Sequence, residues 1–76
     1  FTVTAVAGGA QMGFDVQDML NVVVNLTNRN LYKSMTSHAD HTVWQDVYHV
    51  TARRRVVYLK LTIVEDLLIV SFKEKD

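Results

Sequence analysis

Cysteine and proline are both absent from these 76 residues, and glycine occurs only three times. Without cysteine there is no disulfide and no thiolate zinc site to staple a small core, so aliphatic packing has to hold the fold together. A chain of this size forms one domain and buries only about 60 per cent of the surface that its unfolded form exposes. The absence of proline removes the strongest punctuation, leaving element ends to glycine, capping residues and changes of period. Long apolar runs are missing as well. The longest, Met19 to Val24 and Leu67 to Val70, fall far short of the roughly 18 residues that a spanning helix needs. A soluble cytoplasmic protein with no membrane association is the expectation. Charge of one sign is also lacking, since eight basic and eight acidic residues cancel. That balance argues against affinity gained by wholesale neutralisation of phosphates. Distribution still matters: Arg53, Arg54 and Arg55 stand together, Lys60, Lys73 and Lys75 follow, and Asp15 and Asp18 make the first third acidic.

What the chain does have is a hydrophobic fraction of 49% arranged with two different periods. Phe1 to Thr4 is aromatic and β-branched, which favours a short strand. Ala5 to Met12 contains Gly8 and Gly9, each costing a helix roughly 1 kcal/mol relative to alanine, so only a poorly stabilised helix is expected there. After Gly13 the signal sharpens. Asp15 can cap a helix, Asp18 falls near its positive dipole end, and Phe14 can pack on Met19 as a hydrophobic staple. Met19, Leu20, Val23, Val24 and Leu26 then give an apolar face that ends near the Thr27 to Asn30 turn.

From Leu31 the period changes to two. Leu31 to Ser37 reads as one strand, and Thr42 to Val50 as a second that sets Trp44, Asp46 and Tyr48 against Val43, Gln45, Val47 and His49. Val57, Leu59, Leu61 and Ile63 form an aliphatic face opposite Val56, Tyr58, Lys60 and Thr62. Glu65 and Asp66 make a turn, after which Leu68, Val70 and Phe72 separate from Leu67, Ile69, Ser71 and Lys73. The fold class is therefore α+β: an antiparallel sheet of three or four main strands, with the N-terminal helical segment from Asp15 packed on one face and the other face open.

On that open face, symmetry about the turn places Tyr58 opposite Lys73. A phenol beside an ammonium suits phosphate recognition and proton transfer, and composition alone equally allows both to solvate an exposed strand. Trp44 reads as a core residue, and Tyr48, on the same face, as core or platform. His38, Asp40 and His41 crowd one loop, with His49 at the trailing end of its strand. No further ligand accompanies them, so solvated histidines are expected and no metal site is assigned.

The words LYKSMT, DHTVWQDVY, VYLK and LLIVSFKEK resemble the motility quorum-sensing regulator (MqsR) family of RelE-like mRNA interferase toxins. The likeness runs from about Gly13 to Lys75 and more weakly through Phe1 to Met12. It implies metal-independent endoribonuclease cleavage of single-stranded mRNA at GC-containing sites by 2′-hydroxyl attack, with no cofactor and with neutralisation by a cognate MqsA-like antitoxin. It implies catalytic places for Lys33, Gln45, Tyr58 and Lys73. The two lysines would stabilise charge, Tyr58 would act as acid or base, and Gln45 would orient the phosphate or ribose. Single-stranded RNA is often read by stacking on side chains, for which Tyr32 and Met35 are the candidates, while Arg53, Arg54 and Arg55 are candidates for phosphate contacts. His41, in the DHT word, would support a turn. The chain departs from the pattern after Tyr48, where the family usually has Arg-Pro and this sequence has His49 and Val50. Family members also carry a preceding helical segment. The single toxin domain of residues 1–76 is accordingly expected to lack it, leaving an uncovered apolar face that would favour a homodimer. The competing reading is a non-catalytic α+β module whose sheet binds protein or RNA, and metal-free RNA cleavage discriminates the two.

Overall fold

The computed structural model describes residues 1–36, 43–63 and 67–75. Thr2 opens a helix rather than a strand. Its hydroxyl accepts a hydrogen bond from the Ala5 N–H at 3.1 Å, and helix α1 follows over Val3–Gln11. The strand expected over Phe1 to Thr4 is thus replaced by a cap and a first helical turn. Propensity is a weak prior that packing overrides, and the packing here depends on the two glycines that seemed to weaken the helix. A Cβ on Gly8 would fall on the Phe72 carbonyl oxygen, and one on Gly9 would meet the Met19 thioether. Gly8 is a close approach to backbone that only glycine permits, whereas at Gly9 the flexible Met19 side chain would have to move aside.

Helix α2, Val16–Val24, begins as the sequence predicts. The Asp18 N–H donates to the Asp15 carboxylate at 2.8 Å and the Asp15 N–H donates to Asp18 at 3.0 Å, a reciprocal capping box. Phe14 and Met19 are both buried beside it. The rest of the expected apolar face is not. Leu20 is 42% and Val24 74% exposed, while Val22, Val23 and Leu26 pack at the core's margin. The reason is placement: α1, not α2, lies along the last strand, and a groove of about 360 Å3 separates α2 from the Val50 to Arg53 segment.

Asp18 is held below the ordinary carboxylate range, first by the Asp15 backbone N–H and then by the positive charge of Arg53. A depressed folded-state pKa contributes stability above the unfolded value, and that contribution is lost as pH falls through the folded value. The urea midpoint is therefore expected to drop on acidification below about pH 4, and Asp18→Asn is expected to flatten that part of the dependence. An identical acid slope in the variant would assign the effect to other carboxylates.

A 3-10 turn over Asn28–Asn30 leads into the sheet, whose strands are β1 Leu31–Thr36, β2 Trp44–Ala52, β3 Arg55–Ile63 and β4 Leu67–Glu74. Their spatial order is β1-β2-β3-β4 and every pairing is antiparallel. This is the expected α+β class, with four strands. The Glu65-Asp66 turn lies outside the described residues. Ala5, Met12, Phe14 and Met19 close over Val57, Leu59, Leu61, Ile69 and Phe72, with the Phe14 and Phe72 rings 5.6 Å apart. The amide of Thr2 donates to the Ile69 carbonyl at 3.0 Å and fastens the start of α1 to β4.

Two strand details depart from simple alternation. Leu61 pairs with Ile69 but Lys60 pairs with Ser71, so Val70 is an extra residue, a β-bulge. It puts Ile69 (4% exposed) into the core with Phe72, where uniform alternation had set it on the open face. Trp44, expected in the core, is 60% exposed, because it starts β2 opposite Thr36, the last residue of β1, beyond the cover of the helices.

The β2–β3 turn consists of Arg53 and Arg54, with φ of 52° and 67°. Two-residue hairpin turns with both central φ values positive favour Asn-Gly, because side chains pay to adopt the left-handed region. Arg53 is held there by a 2.8 Å ion pair with Asp18, a 3.0 Å hydrogen bond to the Gly13 carbonyl and the face of Phe14 at 4.6 Å. Arg54, at the exposed tip, is the place to relieve strain. Arg54→Gly is expected to raise stability by about 0.5 to 1 kcal/mol, the relief less the added chain entropy of glycine. The melting temperature should then rise by roughly 3 to 6 °C; a fall would show that the arginine itself is needed.

Candidate active site on the open sheet face

The register of the four strands decides which side chains share the face away from the helices. On β2 these are Gln45, Val47, His49 and Thr51, paired with Thr62, Lys60, Tyr58 and Val56 of β3. On β1, Lys33 lies opposite Val47 and Met35 opposite Gln45. On β4, Ser71 and Lys73 lie opposite Lys60 and Tyr58. Lys33, Gln45, Tyr58 and Lys73 therefore stand on one surface, and Tyr58 pairs with Lys73 as the turn symmetry predicts. That register is reached by an unexpected route, because the pairs nearest the turn are offset by one and the Val70 bulge restores the count.

One row across the sheet takes a side chain from every strand. The His49 ring stacks on Tyr32 at 4.2 Å with 20° between planes, tilts against Tyr58 at 5.9 Å, and the Lys73 ammonium lies 5.3 Å from the Tyr58 ring centre. Tyr32 reaches the row because β1 is irregular between Leu31 and Lys33. The Lys33 ammonium sits 5.7 Å from the Tyr32 ring. The next row holds Lys33, Val47, Lys60 and Ser71. Val47 is fully buried there, as an apolar residue can be when lysine stems flank it. Gln45 lies a further row on, about 13 Å along β2 from His49 at the usual strand rise, with half-buried Met35 opposite.

Charge is sorted between the faces. Among the described residues, the open face carries Lys33, Lys60 and Lys73 and no carboxylate. Asp46 and Glu74 pair with core-face residues Leu61 and Val57, Asp46 accepts from the Ser34 hydroxyl at 2.7 Å, and Asp15 and Asp18 belong to α2. Tyr48 also faces the helices. Burial, and secondarily the charge of Asp46, pushes its phenol pKa upward, so it stays protonated and takes no part in this surface. Arg53, Arg54 and Arg55 lie at the hairpin tip, where Arg53 engages Asp18 and Arg55 approaches Glu74 at 3.9 Å.

Two residues of this face were not singled out by sequence reasoning. His49 was weighed with the loop histidines as a solvated side chain, although the alternation already set it beside Gln45, and it sits inside β2. Lys60 had its signal in the alternation of VYLK, two residues after Tyr58. His38, Asp40 and His41 lie outside the described residues, as does the turn role expected of His41. No group of three possible metal-binding His, Cys, Asp or Glu side chains occurs among the described residues.

The profile described as "Motility quorum-sensing regulator, toxin of MqsA" matches residues 1–74. The chain belongs to this family. It is also 47% identical over 74 residues to the mRNA interferase toxin MqsR of Escherichia coli (strain K12), an alignment that covers 97% of this chain and 76% of that protein. Family membership explains why the four words quoted above converge on one surface: LYKSMT is β1, WQDVY opens β2, VYLK lies in β3 and LLIVSFKE is β4. No helix among the described residues is long and apolar enough to cross a membrane.

Proposed function

We propose that the chain is a cytoplasmic mRNA interferase, an endoribonuclease that cleaves single-stranded RNA on the open face of its sheet and is neutralised by an antitoxin of the MqsA type. The observation that carries this reading is the sorted charge: a neutral chain gathers Lys33, Lys60 and Lys73 around Tyr58, with no carboxylate among the described residues of that face to repel a phosphate. The name of the E. coli relative and the description of the family support the same activity.

The row of His49, Tyr58 and Lys73 suits the scissile phosphate. A positioned ammonium stabilises the charge that develops on a pentavalent phosphorus, and a phenol donates a proton to the leaving oxygen. Lys33 stands one row away and adds charge. Gln45, farther along β2, orients an adjoining ribose or phosphate, and Met35 lies beside it for apolar contact with a base. Tyr32, 60% exposed, offers a stacking surface. Arg54 lies about 13 Å from Tyr58 along the hairpin, so Arg53, Arg54 and Arg55 serve a phosphate beyond the cleaved one. The homodimer expected from an uncovered apolar face would use Val3, Val16, Leu20 and Val24, the exposed aliphatic residues of α1 and α2.

The deciding experiment is incubation with a defined single-stranded RNA containing one GC step, in excess chelator. The expected result is cleavage at that step, yielding a 2′,3′-cyclic phosphate, with suppression by an MqsA-type antitoxin. Binding without cutting would favour the non-catalytic module instead.

A further inference from the structure

Attack by a 2′-hydroxyl needs a group to receive its proton, and the described open face is poor in such groups. Ammonium groups donate hydrogen bonds and offer no lone pair, the Tyr58 phenol is taken as the acid, and no carboxylate is present there. Only an imidazole changes charge in the neutral range without perturbation. We propose that His49 is a catalytic residue of this chain, the general base that takes the 2′-hydroxyl proton. The proposal rests on the ribonuclease reading above and deepens it.

The geometry supports this in two ways. His49 lies in the middle of β2, paired through the sheet with Tyr58, which pairs in turn with Lys73, so the base, the acid and the charge-stabilising group are consecutive across three strands. Its ring is fixed in plane by Tyr32, at 4.2 Å and 20°, while remaining partly accessible. The titratable groups facing it are Tyr32 and Lys33 from β1, Tyr58 and Lys60 from β3 and Lys73 from β4. Neutral imidazole accepts a proton, whereas a guanidinium in the same place would donate hydrogen bonds and accept none.

The step balances as follows. As the 2′ oxygen forms its bond to phosphorus, its proton passes to the His49 imidazole. The bond from phosphorus to the 5′ oxygen breaks, and that oxygen takes the Tyr58 phenol proton. The products are a 2′,3′-cyclic phosphate and a 5′-hydroxyl. Lys73 stabilises the transient phenolate, and the imidazolium and phenolate return to their neutral forms by proton exchange with water.

The test is the pH profile of metal-free cleavage, over roughly pH 5 to 9, for the unaltered chain, His49→Gln and His49→Arg. The unaltered chain is expected to show kcat rising with pH through the imidazole range. Both variants are expected to lose that limb and about a hundredfold in kcat, with little change in KM, and free imidazole is expected to restore part of the activity of His49→Ala. His49→Arg supplies the comparison should the glutamine variant fold poorly. An intact limb and kcat in the variants, or a loss confined to KM, would overturn the assignment of His49 while leaving the nuclease reading in place. No cleavage by the unaltered chain at any pH would overturn the nuclease reading, and this assignment with it.

Discussion

Tyr58→Ala and Lys73→Ala are each expected to lower RNA cleavage by about a hundredfold or more, the usual consequence of removing a proton-transfer or charge-stabilising group. The two side chains are paired across β3 and β4 on the face away from the helices, and neither belongs to the core, where Leu59 and Phe72 alternate with them. Their loss should therefore leave the melting curve near that of the unaltered chain. This separates the prediction from a stability effect, since a chain that is folded but inactive implicates the chemistry. Tyr58→Phe refines it by keeping the ring against His49 and Lys73 while deleting only the hydroxyl. If the phenol is the acid, the phenylalanine variant should be about as impaired as the alanine variant. Undiminished cleavage in both alanine variants would remove this pair from the mechanism. A loss in KM rather than kcat would make them substrate-binding groups.

Gly8→Val is expected to have the largest effect on stability. Extra groups forced into a packed interior commonly cost about 1 to 3 kcal/mol when neighbouring side chains can adjust. At Gly8 the obstacle is the Phe72 carbonyl, a backbone atom of β4. Adjustment there means lifting α1 from the strand it covers, so the cost should fall at or above the upper end of that range. For a domain of this size, about 3 kcal/mol lowers the melting temperature by roughly 12 to 24 °C, out of a total stability of roughly 4 to 11 kcal/mol. Gly9→Ala makes the control, because the atom in its way is the flexible thioether of Met19. A smaller loss is expected from it. Equal losses at the two positions would mean that the helix itself, rather than its approach to β4, is what glycine serves.

How far the sequence was legible depends on whether a feature is local. The capping box of Asp15 and Asp18, the alternation of β2 and β3 and the pairing of Tyr58 with Lys73 all follow from residues close in sequence or symmetric about a turn. Helix α1 was obscured because glycines that break a helix in isolation also let it pack closely, Gly8 on a strand some sixty residues later and Gly9 on Met19 of α2. Trp44 misled through its hydrophobicity, since apolar character says nothing of where the helical cover stops. His49 was passed over because it was weighed with the histidines of the preceding loop rather than with the face it shares with Gln45. Of the candidate site, the shared face was readable; the row that joins Tyr32, His49, Tyr58 and Lys73 needed the irregularity in β1 and the bulge in β4.

The extra residue at Val70 ties the chemistry of the chain to how its last strand is paired. Between the turn and Ile69 the strand runs in one phase; beyond Val70 it runs in the other, which is what sends Phe72 inward and Lys73 outward. A strand that kept all its residues but paired without the bulge would exchange those destinations, presenting a phenylalanine to the open face and a lysine to the core. Removing Val70 itself would regularise the ladder, with Ile69 still opposite Leu61 and Ser71 still opposite Lys60, and leave both side chains where they stand. The bulge thus lets one residue more than the pairing needs be carried without disturbing either face.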